Sequence, residues 1–96
     1  MDIKLLRLTT GEEVIADLVR EGEYTYEVAN PIVMVPGHDG KVGFAPWCPL
    51  VAEEVKTITI RAAVVVYVTL PNTQVVENYE QIFSPIITPA NKGLIL

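Results

Sequence analysis

The chain is poor in charged residues and in the side chains that hold metals or form disulfide bonds. Of its 96 residues 20% are charged, and it contains one cysteine, one histidine and one tryptophan. The single cysteine, Cys48, cannot form a disulfide within the chain, which fits a reducing compartment. The N-terminal sequence MDIKLL lacks the basic start and apolar core of a secretory signal. We therefore expect a cytoplasmic protein.

Long apolar runs and positive charge are also scarce. The longest unbroken apolar run, residues 62–68, is far shorter than the roughly 18 residues that predict a membrane-spanning helix. Seven Lys and Arg face twelve Asp and Glu, which gives a net charge of −5. This balance argues against binding nucleic acid through bulk positive charge, although a few focused arginines remain compatible with it.

Apolar side chains, by contrast, are abundant for so small a protein. Half of the residues are hydrophobic, and the mean hydropathy is +0.34. A chain of 96 residues is long enough for one domain, whose core is modest. The surplus of apolar side chains therefore predicts burial against other subunits rather than exposure on a monomer.

Alternating apolar and polar residues predict β-strands through most of the first 71 residues. In segment 3–9, Ile3 and Leu5 lie on one face while Leu6 and Leu8 lie on the other. The other predicted strands are 14–19, 24–29 continued by 32–35, a short strand within 41–50, 55–60 and 62–70. The Asn30-Pro31 pair predicts an edge or a bulge, because proline removes a ladder donor. About five bent strands in so short a segment predict a mainly β, strongly bent barrel.

The periodicity changes after residue 71. Apolar residues recur at spacings of three and four, which predicts an amphipathic helix of about three turns; they are Val75, Val76, Tyr79, Ile82 and Phe83. Asn72 or Thr73 is a candidate cap at its start. The tail that follows Ser84-Pro85 is apolar, and we expect it to pack on its own domain or on a neighbouring subunit.

The stretch 60–71, IRAAVVVYVTLP, places a lone arginine at the start of an apolar β-branched run. It closely resembles the second signature of Sm-like proteins, the family of Sm, LSm and Hfq proteins. That signature runs Ile-Arg-Gly, then variable and apolar positions, then Leu-Pro. Ile60, Arg61, Ala62 and the Leu70-Pro71 pair fall in register with it without a gap.

An earlier segment resembles the first Sm signature, Leu-x-x-Gly-x-x-apolar-x-Gly-x-Leu followed further on by an Asn. The matching residues are Leu8, Gly11, Val14, Ala16, Leu18 and Asn30. Ala16 and Ala62 stand where the signatures have glycine, and the segment between Gly11 and Asn30 is longer than usual.

The resemblance implies a five-stranded Sm-like barrel of the SH3 type over residues 1–71, with 36–54 as its variable loop. It leaves 72–96 as a C-terminal helix and apolar tail, which is unusual because family members carry their helix at the N-terminus. It also implies a homo-oligomeric ring of about five to seven subunits, which agrees with the surplus of apolar side chains. The resemblance leaves a viral and a cellular origin both open.

The resemblance further implies where RNA would bind. In the family, the Asn and the Arg lie on loops that face a central pore, where the Asn bonds a base edge, the Arg clamps it and a neighbouring side chain stacks on it. Asn30, Arg61 and Ala62 are the corresponding residues of this chain. Single-stranded RNA suits such a pore because its bases can be splayed out and recognised.

Two other groups of side chains are candidates for function. Phe44 and Trp47 lie in a proline-rich loop, where they either fill a small core or form a stacking platform or partner anchor. His38 and Cys48 invite a metal or nucleophile interpretation, but their spacing matches no zinc pattern and further ligands are missing. We therefore expect no metal, no cofactor and no enzymatic activity.

Two hypotheses on function follow. The first is a ring that binds single-stranded RNA and acts as an RNA chaperone or as a scaffold of ribonucleoprotein particles. The alternative is an oligomeric ring with a structural or protein-binding role and no RNA affinity. The acidic composition, the two missing glycines and the apolar loop around Phe44 and Trp47 favour this alternative.

Overall fold

A computed structural model of the chain describes residues 1–83 and has six β-strands and one C-terminal α-helix. The strands are β1 (Ile3–Leu8), β2 (Glu13–Glu21), β3 (Thr25–Pro36), β4 (Val42–Pro46), β5 (Ile58–Arg61) and β6 (Val65–Thr69). A short 3₁₀ turn, Ala62–Val64, joins β5 to β6, and the helix α1 is Thr73–Phe83. The predicted mainly β class and the C-terminal helix are confirmed.

All strands belong to one antiparallel sheet in the order β4-β3-β2-β1-β6, and β5 pairs with β3 beside this path. The twelve-residue strand β3 serves two partners, because its first half pairs with β5 and its second half with β4. The sheet therefore has six strands, one overlapping each predicted segment, whereas the Sm-like resemblance implies five. Residues 47–57 interrupt what would otherwise be one long strand beside β3, and Pro49 in that segment has no N–H to donate to a ladder.

The alternation on the first two strands gives the sheet two apolar faces. One face carries the larger cluster of buried side chains, which consists of Leu6, Leu8, Val14, Ala16, Leu18, Val28 and Ile60. The register of β1 and β2 places Leu6 opposite Val14 and Lys4 opposite Ala16, so the predicted faces of both strands are confirmed. Ala16 is fully buried in this cluster.

The helix covers the opposite face. Tyr79, which is fully buried, packs with Ile3, Ile15 and Ile32 of the sheet. The start of α1 is capped as predicted, because the Asn72 side-chain oxygen accepts the N–H of Val75 at 2.9 Å. The predicted apolar helix face needs one correction, since half of the Ile82 surface remains exposed.

A bulge at Asn30-Pro31 bends β3. Ile32 pairs with Ile15 and Ala29 pairs with Asp17, so two residues of β3 face one residue of β2. Asn30 has a φ of 50°, in the left-handed region that asparagine tolerates better than most residues. The predicted interruption is therefore confirmed as a bulge within one strand.

The lone arginine marks a corner of the chain. Arg61 ends β5, and Ala62–Val64 turns the backbone through the 3₁₀ segment into β6. The predicted strand over 62–70 is therefore confirmed for 65–69 and wrong for 62–64. The N–H of Val65 closes the turn on the carbonyl of Ala62.

The remaining predictions concern the C-terminal tail and membrane-spanning segments. The predicted packing of the tail falls on residues 84–96, which lie outside the described residues. Within residues 1–83, the one helix has 11 residues and is too short to cross a bilayer.

Candidate functional site

The turn between β2 and β3 and the turn after β5 meet at one end of the sheet. Thr25 pairs directly with Arg61 in the antiparallel register. The backbone N–H of Ala62 also donates to the carbonyl oxygen of Tyr24 at 2.7 Å. The N–H of Gly22 bonds the Thr25 carbonyl at 2.8 Å, which closes the β2–β3 turn. We call the surface formed by Tyr24, Arg61 and Ala62 the Arg61 corner.

The Arg61 corner offers a flat aromatic ring and a guanidinium group to solvent. Tyr24 is 75% exposed, an unusual degree for a residue whose ring gains free energy by burial. Arg61 is exposed, and no carboxylate of residues 1–83 forms an ion pair with it. A base can stack on a phenol ring, and a guanidinium plane both stacks and donates to base edges or phosphates.

The electrostatics of the corner are mixed. Glu21 and Glu23 flank Gly22 in the same turn, and both are exposed. Arg20 lies opposite Glu27 at the end of β2, and the Glu27 carboxylate accepts the Thr57 hydroxyl at 2.7 Å. These carboxylates oppose attraction of a phosphate backbone at long range. Any nucleotide that binds here would therefore depend on base contacts more than on bulk charge.

Asn30 does not lie at the Arg61 corner. Thr25 is the residue of β3 that pairs with Arg61, and Asn30 follows five positions further along the strand. At about 3.3 Å per strand residue, the separation is on the order of 15 Å. Within one copy of the chain, Asn30 is therefore separated from Arg61 along β3, and its contact with a base stays a prediction.

Asn30 instead has a clear role in the backbone of β3. Its carbonyl oxygen and that of Ala29 accept the hydroxyl of buried Tyr79, at 3.0 and 3.2 Å. Its left-handed φ allows the bulge that lets β3 change partner from β5 to β4. These observations explain an asparagine at this position without a base contact.

Tyr24 is the residue of the corner that the sequence patterns do not single out. An exposed tyrosine within the turn GEY at 22–24 is the available signal, because a turn is otherwise built from small or polar residues. Alternation alone assigns Tyr24 to a strand. Only the pairing of β3 with β5 shows which turn lies beside Arg61.

Phe44 and Trp47 are both half-buried and pack on different faces of the sheet. Phe44 packs with the cluster under α1, whereas Trp47 packs against the larger cluster. The Trp47 indole N–H donates to the Glu12 carboxylate at 3.2 Å. Both rings therefore contribute to the core, and neither is a freely exposed stacking platform.

The structure gives the metal and nucleophile interpretation no support. His38 lies in the exposed turn between β3 and β4. Partial burial, followed by the nearby Glu12 charge, raises the pKa of the Cys48 thiol, which disfavours the reactive thiolate. Among residues 1–83, His, Cys, Asp and Glu form no group of three or more that could hold a metal ion.

The sheet has two unpaired edges on opposite sides. Within residues 1–83, β6 pairs only with β1 at one edge, and β4 and β5 pair only with β3 at the other. Apolar side chains are exposed on and beside β6; they are Val64, Val66, Tyr67 and Leu70. An unpaired edge with apolar neighbours is a template for pairing with another chain.

Comparison with known proteins does not identify a family for this chain. No family model matches the chain. The curated proteins contain no sequence that matches it either.

Proposed function

We propose that the chain forms a homo-oligomeric Sm-like ring that binds single-stranded RNA at its Arg61 corners. The observation that carries this proposal is the backbone bond from Ala62 to Tyr24, which joins the turn that carries the exposed Tyr24 to the turn that follows Arg61. Within residues 1–83 the Arg61 guanidinium forms no ion pair. The Sm-like interpretation rests on the resemblance of 60–71 to the second signature, whose Arg occupies this corner.

The two free edges of the sheet support the proposed ring. If β5 of one copy pairs with β6 of the next, every copy uses two different surfaces, so the contact is head-to-tail. Head-to-tail contacts close into a ring when the rotation between copies permits, and the resemblance suggests about five to seven subunits. Such pairing would cover Val66, which is 60% exposed on β6.

The ring would also concentrate the binding groups. Arg61 ends β5, so edge pairing would place each Arg61 corner close to an intersubunit contact. Repetition of one arginine around a ring focuses positive charge even on a chain with a net charge of −5. Because Glu21 and Glu23 lie in the same turn, we expect base stacking to dominate and the salt dependence of binding to be weak.

The test is fluorescence anisotropy with short uridine-rich and adenine-rich RNA. Arg61→Ala should weaken binding and leave the oligomer unchanged. Lys41→Ala is the control, because it removes an exposed cation that precedes β4 and lies outside the corner. Equal affinities for the wild-type protein and Arg61→Ala would remove Arg61 from the site, and no RNA binding by the wild-type protein would contradict the proposal.

A protein-binding ring without RNA affinity is the second candidate, and the segment between β4 and β5 favours it. Leu50 is 97% exposed there, and Val51 and Val55 are also exposed. Apolar side chains grouped on a surface segment are typical of protein contacts. A closed ring that binds neither RNA would favour this candidate, and Leu50→Ser should then weaken capture of a protein partner.

A further inference from the structure

A cleft of about 520 Å³ opens between the start of α1 and the sheet. Its apolar walls are Leu5, Ile15, Val33, Met34, Pro71 and Val75. Glu12 and Glu13, from the turn between β1 and β2, line the same cleft. Its volume falls within the range of about 300–1,000 Å³ that is usual for small-molecule sites.

The two carboxylates differ in how they are neutralised. Glu13 forms an ion pair with Arg7 at 3.3 Å and accepts the Tyr67 hydroxyl at 3.1 Å. Glu12 accepts only neutral donors, the Thr10 hydroxyl at 2.9 Å and the Trp47 indole N–H at 3.2 Å. No cation of residues 1–83 pairs with Glu12. The cleft thus combines apolar walls with one carboxylate that is hydrogen-bonded in place but not neutralised.

We propose that this cleft binds a small organic cation, a primary ammonium attached to an aromatic or branched apolar body. The ammonium would donate to the Glu12 carboxylate, and the apolar body would lie against Leu5, Ile15 and Val75. A hydrogen bond between an ammonium and a carboxylate is stronger than one between neutral groups. Met34 is unbranched and half-exposed at the rim, so it can adjust to the shape of the bound molecule.

The proposal is independent of the proposed function. The cleft contains neither Tyr24 nor Arg61, and it needs no second copy of the chain. If the protein does not bind RNA, the proposal of an amine site is unaffected. If it does not bind the amine, the proposals of the ring and of the RNA site are unaffected.

The test is a titration of the ¹⁵N-labelled full chain with three probes of similar shape. Binding is monitored through the amide chemical shifts. The probes are 2-phenylethylamine, 2-phenylethanol and 3-phenylpropionate. The amine should shift the amides of 11–15 and 72–75 and should bind about tenfold more tightly than the alcohol, the ratio for one charge-assisted hydrogen bond. The anion should not bind. Fluorescence of Trp47, the single tryptophan, should change on addition of the amine because its indole bonds Glu12.

Two variants locate the charge. Glu12→Gln should reduce the affinity for the amine to that for the alcohol. Glu53→Gln, which removes a carboxylate outside this cleft, should leave amine binding unchanged. Equal affinities for all three probes would overturn the proposal. If no probe shifts any amide, the proposal is overturned as well. That result is expected if another part of the chain or a second copy fills the cleft.

Discussion

The backbone N–H of Ala62 donates to the carbonyl oxygen of Tyr24 at 2.7 Å, although the two residues lie far apart in the sequence. The bond joins the end of β5 to the turn between β2 and β3. It places the exposed Tyr24 next to the position that holds the lone arginine of the 60–71 stretch. A backbone bond of this kind is insensitive to the identity of either side chain, so the two side chains can be changed without loss of the corner.

Tyr24 should contribute to RNA affinity through its ring rather than its hydroxyl. Tyr24→Ala removes the stacking surface and should weaken binding by about 1–3 kcal/mol, which is a factor of roughly 5 to 150. Tyr24→Phe keeps the surface and should retain the affinity. Both affinities can be measured by fluorescence anisotropy with the same short RNA. Equal weakening by both variants would contradict a stacking role.

Asn30 should matter for the backbone and not for RNA. Asn30→Gly tolerates the left-handed φ of 50° and should leave the free energy of unfolding nearly unchanged. Asn30→Ala should lower it by about 1 kcal/mol, because a Cβ without a local hydrogen bond is strained in that region. Chemical denaturation measures both. A large loss of RNA affinity in Asn30→Gly would restore the base contact that the sequence motif implies.

Assembly should depend on the free edge of β6. Val66→Lys places a charge on an exposed apolar position of that edge and should shift the protein from oligomer to monomer. Val19→Lys is the matched control, because Val19 is similarly exposed but lies on β2 within the sheet. Light scattering after size-exclusion chromatography measures the masses. An unchanged oligomer in Val66→Lys would exclude this edge from the interface.

Stability should fall at alkaline pH because of Tyr79. Burial, followed by the nearby Asp17 charge, raises the pKa of the Tyr79 phenol to about 12. The unfolded chain has the ordinary value of about 10, so the folded state retains the proton more strongly. This contribution to stability is complete below pH 10 and is lost as the pH rises toward 12. By linkage it amounts to about 2–3 kcal/mol.

Chemical denaturation at pH 8 and pH 11, at one fixed protein concentration, tests this dependence. Tyr79→Phe should be less stable than the wild-type protein at pH 8 by about 1–2 kcal/mol, because the Ala29 and Asn30 carbonyls lose their donor. It should also lose less stability between the two pH values. The same alkaline loss in both proteins would assign the effect to other groups.

The sequence patterns anticipate the local features of this fold well. The faces of β1 and β2, the Asn72 cap and the disturbance at Asn30-Pro31 all follow from side chains close together in the chain. Alternation and capping depend on neighbours within one or two turns of backbone, so a single sequence reveals them.

The features that the patterns miss depend on contacts between distant segments. The two strands β4 and β5 are predicted as separate segments, but the half of β3 with which each one pairs is not visible in their alternation. Likewise, the register Thr25–Arg61 decides that Tyr24 and not Asn30 lies at the corner. The segment between Gly11 and Asn30 is longer than in the first Sm signature. The spacing of the signature residues does not show where the additional residues lie in the sheet, so it does not show that Asn30 lies away from the corner.

Native mass spectrometry of the full chain, with and without short uridine-rich and adenine-rich RNA, tests the central claim most directly. The account predicts a closed ring of one stoichiometry that gains mass on addition of RNA, and Arg61→Ala should form the same ring and take up less RNA. A monomer that binds no RNA would contradict both the edge pairing and the Arg61 corner.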